Sequence, residues 1–225
     1  MSNESLTYPL DQAVDLGHTA VKAAVGCLPG GSALAEVFNT FVPSQLSQRR
    51  DEWGERITQL VNRLIAEGNV TAESLQNDPA FVDMLVEATI GAIKTSNELK
   101  RSAFLQAIAS SAQKAVEPDR QHMYVRLVDE LTEMHLQLLK AYSVGKFSAA
   151  FGTGEEYENR FFGLVSAAFP NLKGERDLII HLCSDLANRS LIAHPPKGPK
   201  TLGGLNIQAM RITQSGTGLL KFVGL

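Results

Sequence analysis

Apolar positions along this chain recur mostly at intervals of three and four, the period of a helix with one face turned inward. The first such stretch, about residues 10 to 27, stops at Pro29-Gly30-Gly31. A second starts behind Ser32, a suitable N-cap, with Leu34, Val37, Phe38 and Phe41 on one face. Together they read as a helical hairpin closed by Pro43. After SQLSQRRDEW a third helix carries Trp53, Ile57, Leu60, Val61 and Leu64 on one side and ends at Gly68-Asn69. Thr71 opens a short turn of helix. Asp78-Pro79 starts the next one, because Asp accepts bonds from free amides and proline fits the first helical position. Its apolar face is Phe81, Met84, Leu85 and Ala88. Ser96 and Asn97 break or kink the pattern before ELKRSAFLQAIASSAQKAV, where Leu99, Ala103, Ile108 and Ala112 are spaced for helix.

Glu117-Pro118 reads as a domain boundary, since proline disfavours helix at the residue before it and starts a new one well. Residues 1–117 are then an all-helical domain and residues 118–225 a second domain. The second begins with a connecting helix at 119–130, and Leu131-Thr132 supplies a staple residue and a cap for EMHLQLLKAY. Beyond a loop containing FGTG, EEYENRFFGLVSAAF runs to Pro170 and GERDLIIHLCSDLANRS follows. After Ser190 the period changes. LIAH leads into the breaker-rich PPKGPKTLGG and then LNIQAMRIT, in which Leu205, Ile207, Ala209 and Arg211 alternate with Asn206, Gln208, Met210 and Ile212. This favours a β-hairpin. Thr213 can cap a final helix bearing Leu219, Leu220, Phe222 and Val223. Four such residues within five positions occupy more than half a helical circumference. They must be covered on most sides, by the hairpin and the 119–130 helix or by a second chain.

Three helices, a strand just after ANRSLI, a long loop, a strand ending in RIT and the closing QSGTGLLKFV helix resemble the winged-helix superfamily over about residues 131–224. The ITxxGxxLL-like end adds to the resemblance. The wing is longer than the pattern, and the 12-residue connection VGKFSAAFGTGE between the first two helices departs from it. The N-terminal half resembles helical regions of uncharacterised bacterial proteins. The expected fold is mainly α: an N-terminal helical domain followed by a winged-helix-like domain with one β-hairpin.

Winged helices that read DNA place the third helix in the major groove and the wing near the phosphates. The resemblance therefore points to Arg176 and Arg189 on the third helix, His194, Lys197 and Lys200 on the wing, and Arg211 on the second strand as a nucleic-acid-binding set. Against it, the polar residues of that helix are Glu175, Arg176, Asp177, His181, Asp185 and Arg189, three acids to two arginines. Other winged helices bind proteins, and for that role Leu219, Leu220, Phe222 and Val223 are the candidate interaction surface, toward a protein partner or a second copy.

Composition narrows the choice. The 225 residues are 44% hydrophobic and 20% charged, too apolar for a disordered chain. Net charge is −3; residues 1–117 hold 9 basic against 14 acidic groups, and residues 118–225 hold 12 against 10. Neither half has the basic excess of a protein that lives on phosphate backbones. Cys27 and Cys183 have no partner motif and suit buried thiols in a reducing compartment. MSNESLTYPLDQ is polar and acidic, unlike a secretory leader, so a cytoplasmic location is expected.

In HTAVKAAVGCLPGGSALAEVFNTFV, Lys22, Pro29 and Glu36 interrupt any span of the roughly 18 apolar residues needed to cross a bilayer. A membrane-acting bacterial effector that releases this hairpin is one alternative function. For catalysis, FGTG followed by Glu155-Glu156 lacks the lysine and hydroxyl of a phosphate-binding loop, and Ser32 is outside a GxSxG context. His18, His122, His135, His181 and His194 include no pair at metal-ligand spacing with a third ligand nearby. Asp129-Glu130 and Glu155-Glu156 read as solvated helix faces. No catalytic residue, cofactor or metal site is expected. The leading expectation is a non-enzymatic protein that binds another protein or itself, with a DNA-binding regulator as the main alternative.

Overall fold

The structure, a computed structural model, describes residues 47–68, 70–147, 155–193 and 211–225. The hairpin expected at 10–42, Cys27, the FGTG loop, the wing residues His194, Lys197 and Lys200, and residues 205–210 lie outside the described residues. Contacts divide the chain into two compact units: the first runs to Asp129 and includes Phe222–Gly224, and the second is Glu130–Lys221 with Leu225.

The first unit contains α1 (Ser47–Ala66), α2 (Ala72–Gln76), α3 (Pro79–Lys94), α4 (Glu98–Ala112) and α5 (Pro118–Glu130, to Asp129 in this unit). Their ends follow local chemistry. Thr71 and Ser74 form a reciprocal capping box at α2. The Asp78 carboxylate accepts from the Ala80 and Phe81 amides at 3.1 and 3.4 Å to start α3. At Ser96-Asn97 the chain breaks rather than kinks, because the Asn97 side chain accepts from the Lys100 amide at 2.9 Å and so begins α4.

The apolar faces read from the sequence are buried: Trp53, Ile57, Leu60, Val61 and Leu64 on α1, and Phe81, Met84, Leu85 and Ala88 on α3. α4 is more enclosed than its pattern suggests, with Arg101, Ser110 and Ser111 buried beside Ala103, Phe104, Ala107 and Ile108. Small side chains make this close packing possible. A Cβ on Gly91 of α3 would lie 2.4 Å from the Phe104 ring, so glycine lets α4 seat its phenylalanine on the α3 backbone.

Pro118 starts a helix as expected, but the break between units falls one helix later. α5 buries Tyr124, Val125 and Val128. Polar contacts tie it to α3 and α4: Glu87 meets His122 at 2.6 Å and Arg126 at 3.4 Å, and the Lys100 ammonium donates to the Asp129 carbonyl at 2.8 Å. A proline marks where helix can restart, and tertiary contacts decide which unit that helix joins.

The second unit has α6 (Glu133–Ser143), α7 (Glu155–Ala168), a 3-10 turn at Pro170–Leu172, α8 (Arg176–Asn188), β1 (Ile192–Ala193), β2 (Arg211–Ile212) and α9 (Gln214–Phe222, to Lys221 in this unit). α6, α8 and the strand pair share a core, and Tyr142, Phe147, Phe161 and Phe162 form an aromatic row with ring centroids 4.9–5.5 Å apart. The strands pair antiparallel, Ile192 with Ile212 and Ala193 with Arg211. The described chain is thus mainly α with one two-stranded antiparallel hairpin, as the pattern predicts.

Thr213 joins the hairpin to α9. Its amide donates to the Leu191 carbonyl at 3.0 Å, its hydroxyl donates to the Ser190 carbonyl at 2.7 Å, and the same oxygen accepts from the Gly216 amide at 3.0 Å. A Cβ on Gly216 would sit 2.2 Å from the Leu191 carbonyl oxygen, so only glycine lets α9 begin this close to β1.

Leu219, Leu220, Phe222 and Val223 are all buried. Within the first unit the Phe222 ring lies 5.6 Å from that of Tyr124, and its carbonyl accepts from the Ser110 hydroxyl at 2.8 Å. These four residues are covered by the chain's own atoms and offer no exposed surface to a second chain. No helix among the described residues is long and apolar enough to cross a membrane.

Candidate functional site

α8 is the element on which the candidate residues converge. Ile179, Leu182, Cys183 and Leu186 recur at three, one and three and form its buried stripe. The opposite ridge carries Asp177, His181, Ser184 and Asn188, with Asp177, His181 and Asn188 exposed and Ser184 half-buried. Leu178 and Ile180 stand at the two edges of that ridge, 43% and 42% exposed. Most described aliphatic side chains of this unit are enclosed; these two sit on either side of a polar crest without lysine or arginine.

Both arginines of the helix are engaged within the unit. Arg176 donates to the Asn159 side-chain oxygen, and its guanidinium lies 5.0 Å from the centre of the Phe162 ring, a cation–π contact. Arg189 is gripped by two carboxylates, Glu130 through Nη1 and Asp185 through Nε at 3.2 Å. The bond to Glu130 holds its pKa above the ordinary arginine value. Arg211 is exposed on β2 and has a partner of its own. Of the six residues in the nucleic-acid set, the structure describes these three, and each is already engaged.

Asp185 also faces His135, which links α6 to α8. His135 occupies the third position of α6, where the Thr132 amide donates to Nδ1 at 3.2 Å and the Thr132 hydroxyl lies 2.8 Å from the same nitrogen. An accepting Nδ1 leaves the ring proton on Nε2, which points to Asp185 Oδ2 at 3.4 Å. Burial lowers the His135 pKa; Asp185 pulls it upward, and Arg189 and His181 oppose a second proton.

Hydroxyl, imidazole and carboxylate in a row invite comparison with a nucleophile and its base. The contacts make a capping box instead. The Thr132 oxygen accepts the His135 amide at 3.4 Å, and the single lone pair of Nδ1 already receives the Thr132 amide. No local pattern announces this pairing, since His135 and Asp185 lie 50 positions apart. Its one local trace is Thr132 three residues ahead of His135, with histidine where glutamate or glutamine is usual.

Among the described residues no group of three or more His, Cys, Asp or Glu side chains could hold a metal ion. Cys183 is buried against the Tyr142 hydroxyl at 3.6 Å, and burial pushes its thiol up to about 11, which suits a packing role. His181, two positions away, points outward, so the two do not form a ligand pair. No protein-family model matches the chain, and no curated protein or solved structure shows significant similarity to it.

Proposed function

We propose that this chain is a non-enzymatic interaction protein whose winged-helix-like second unit presents α8 to a protein, either a different partner or a second copy. The observation that carries this reading is the outer ridge of α8: Asp177, His181, Ser184 and Asn188 between half-exposed Leu178 and Ile180, with both arginines of the helix bound within the unit. A helix entering a DNA groove draws its affinity from cations that replace counterions on phosphates. This ridge has an acid in its first turn and no permanent cation. Polar groups flanked by apolar edges suit a protein interface, where a desolvated centre is ringed by hydrogen-bonding groups.

The test uses the full chain and the double variant Leu178→Asp with Ile180→Asp, which places charge at both edges. Mass is measured by light scattering across a concentration series, and bound proteins are captured by crosslinking. The wild type should dimerise or retain a defined partner, and the variant should lose that association while keeping its melting temperature. Steeply salt-dependent binding to duplex DNA by the wild type, weakened by Lys197→Ala with Lys200→Ala, would replace this reading with the DNA-binding one. Leakage of vesicles composed of anionic lipid would favour the membrane-acting alternative.

A further inference from the structure

A surface groove of about 250 Å3 in the first unit is lined by Arg56, Gln59, Leu60 and Arg63 of α1 and by Leu105 of α4. We propose that it binds a small carboxylate carrying a short apolar chain. Arg56 and Arg63 are seven residues apart, almost two full helical turns, so both project on one side of α1 about 10.5 Å apart along its axis. Gln59 lies between them. Two long arginine side chains can converge from opposite ends on one small anion in that space.

Among the described residues Arg63 is the arginine of the groove that no carboxylate balances, and Arg56, already paired with Glu98, adds spare N–H donors. Arg56 forms a two-pronged pair with Glu98, one terminal nitrogen to each carboxylate oxygen. A guanidinium has five N–H donors, so three remain. The same pair shows that this part of α1 already recognises a carboxylate by its planar fork. Arg63 is exposed, and no acidic group among the described residues pairs with it. Beside these donors Leu60 and half-buried Leu105 form an apolar wall, which a purely inorganic anion leaves unused. The groove has room for a short-chain carboxylate, and hexanoate serves as the probe.

The experiment is a titration of the isotopically labelled full chain with hexanoate, acetate and inorganic phosphate, followed by amide chemical shifts. Hexanoate should give saturable shifts confined to α1 around residues 56–63 and to α4 around residue 105, with acetate and phosphate at least tenfold weaker. Arg63→Gln should weaken hexanoate at least tenfold, the effect of losing a hydrogen bond to a charged group, and Arg63→Lys should restore part of it. Arg63 is exposed, so these variants leave the fold intact; unchanged shifts elsewhere in their spectra check this. Non-saturating shifts, binding by Arg63→Gln equal to the wild type, or phosphate binding as tightly as hexanoate would each overturn the proposal. It stands independently of the role of α8, which lies in the other unit.

Discussion

Replacing Phe222 with alanine tests the way the last residues complete the first unit. The side chain is 2% exposed, packs on Tyr124 of α5, and follows a carbonyl held by the Ser110 hydroxyl of α4. Burying a phenylalanine contributes about 1.5–3 kcal/mol from transfer alone. Truncation to alanine in a core, where a cavity remains, costs about 3–5 kcal/mol. Alanine's better helix propensity returns at most about 0.7 kcal/mol, so packing wins. Against a typical domain stability of about 5–15 kcal/mol this is a large share, and the melting temperature of the first unit should fall by roughly 10–20 °C.

The assay combines a thermal melt with hydrogen exchange read peptide by peptide. Exchange should accelerate in α4 and α5, more than 90 positions before the substitution. Lys221→Ala, an exposed change on the same helix, is the control and should do neither. If Phe222→Ala leaves both the melt and the exchange of α4 and α5 unchanged, Phe222 is a frayed end, and assigning the C-terminal residues to the first unit is mistaken.

Gly216→Ala should destabilise the second unit by more than about 1 kcal/mol, because the new methyl meets a backbone carbonyl that cannot swing aside; urea unfolding measures it, and an unchanged midpoint would refute the close approach. Ser190 ends α8 at φ 58°, a left-handed conformation that glycine adopts freely, so Ser190→Gly should raise stability by about 0.5–1 kcal/mol in the same assay; a loss would show that the serine side chain matters more than its backbone. Burial lowers the His135 pKa below its ordinary 6.5. As pH falls through 6.5 the unfolded chain therefore takes up a proton that the folded chain refuses. Stability should decline from that point downward by at most about 1.4 kcal/mol per pH unit, and His135→Gln should flatten the decline; equal slopes in the two proteins would rule the residue out as its source.

The helices were legible because their information is local. Asp78-Pro79, Thr71 and Thr213 act within four residues of themselves, and the structure shows each cap making the bond its side chain predicts. The core faces of α1 and α3 were equally readable, since large apolar side chains at helical spacing have few alternatives to burial. α4 was half legible. Its second face is alanine, serine and Arg101, residues that alone suggest solvent, and it is buried because Gly91 and the small side chains let its neighbours come close. The boundary at Pro118 shows the limit of a local signal: proline reports the start of a helix, whereas unit membership depends on Tyr124, Val128, Lys100 and Glu87, which meet only after folding.

The candidate site was the least legible part, for the same reason. Counting charges on α8 gives three acids and two arginines, and from sequence every one of them is a free surface group. Folding spends Arg189 on Glu130 and Asp185, places Arg176 on Phe162, and turns Asp185 toward His135, so most of the apparent charge of the helix is internally satisfied. What α8 then offers outward is set by its least conspicuous residues: an aspartate, a histidine, a serine and an asparagine between two aliphatic edges. A cation whose charge is balanced by carboxylates of its own unit gains less from replacing a counterion on phosphate, so the outward ridge of α8, and not its charge count, is what a partner meets.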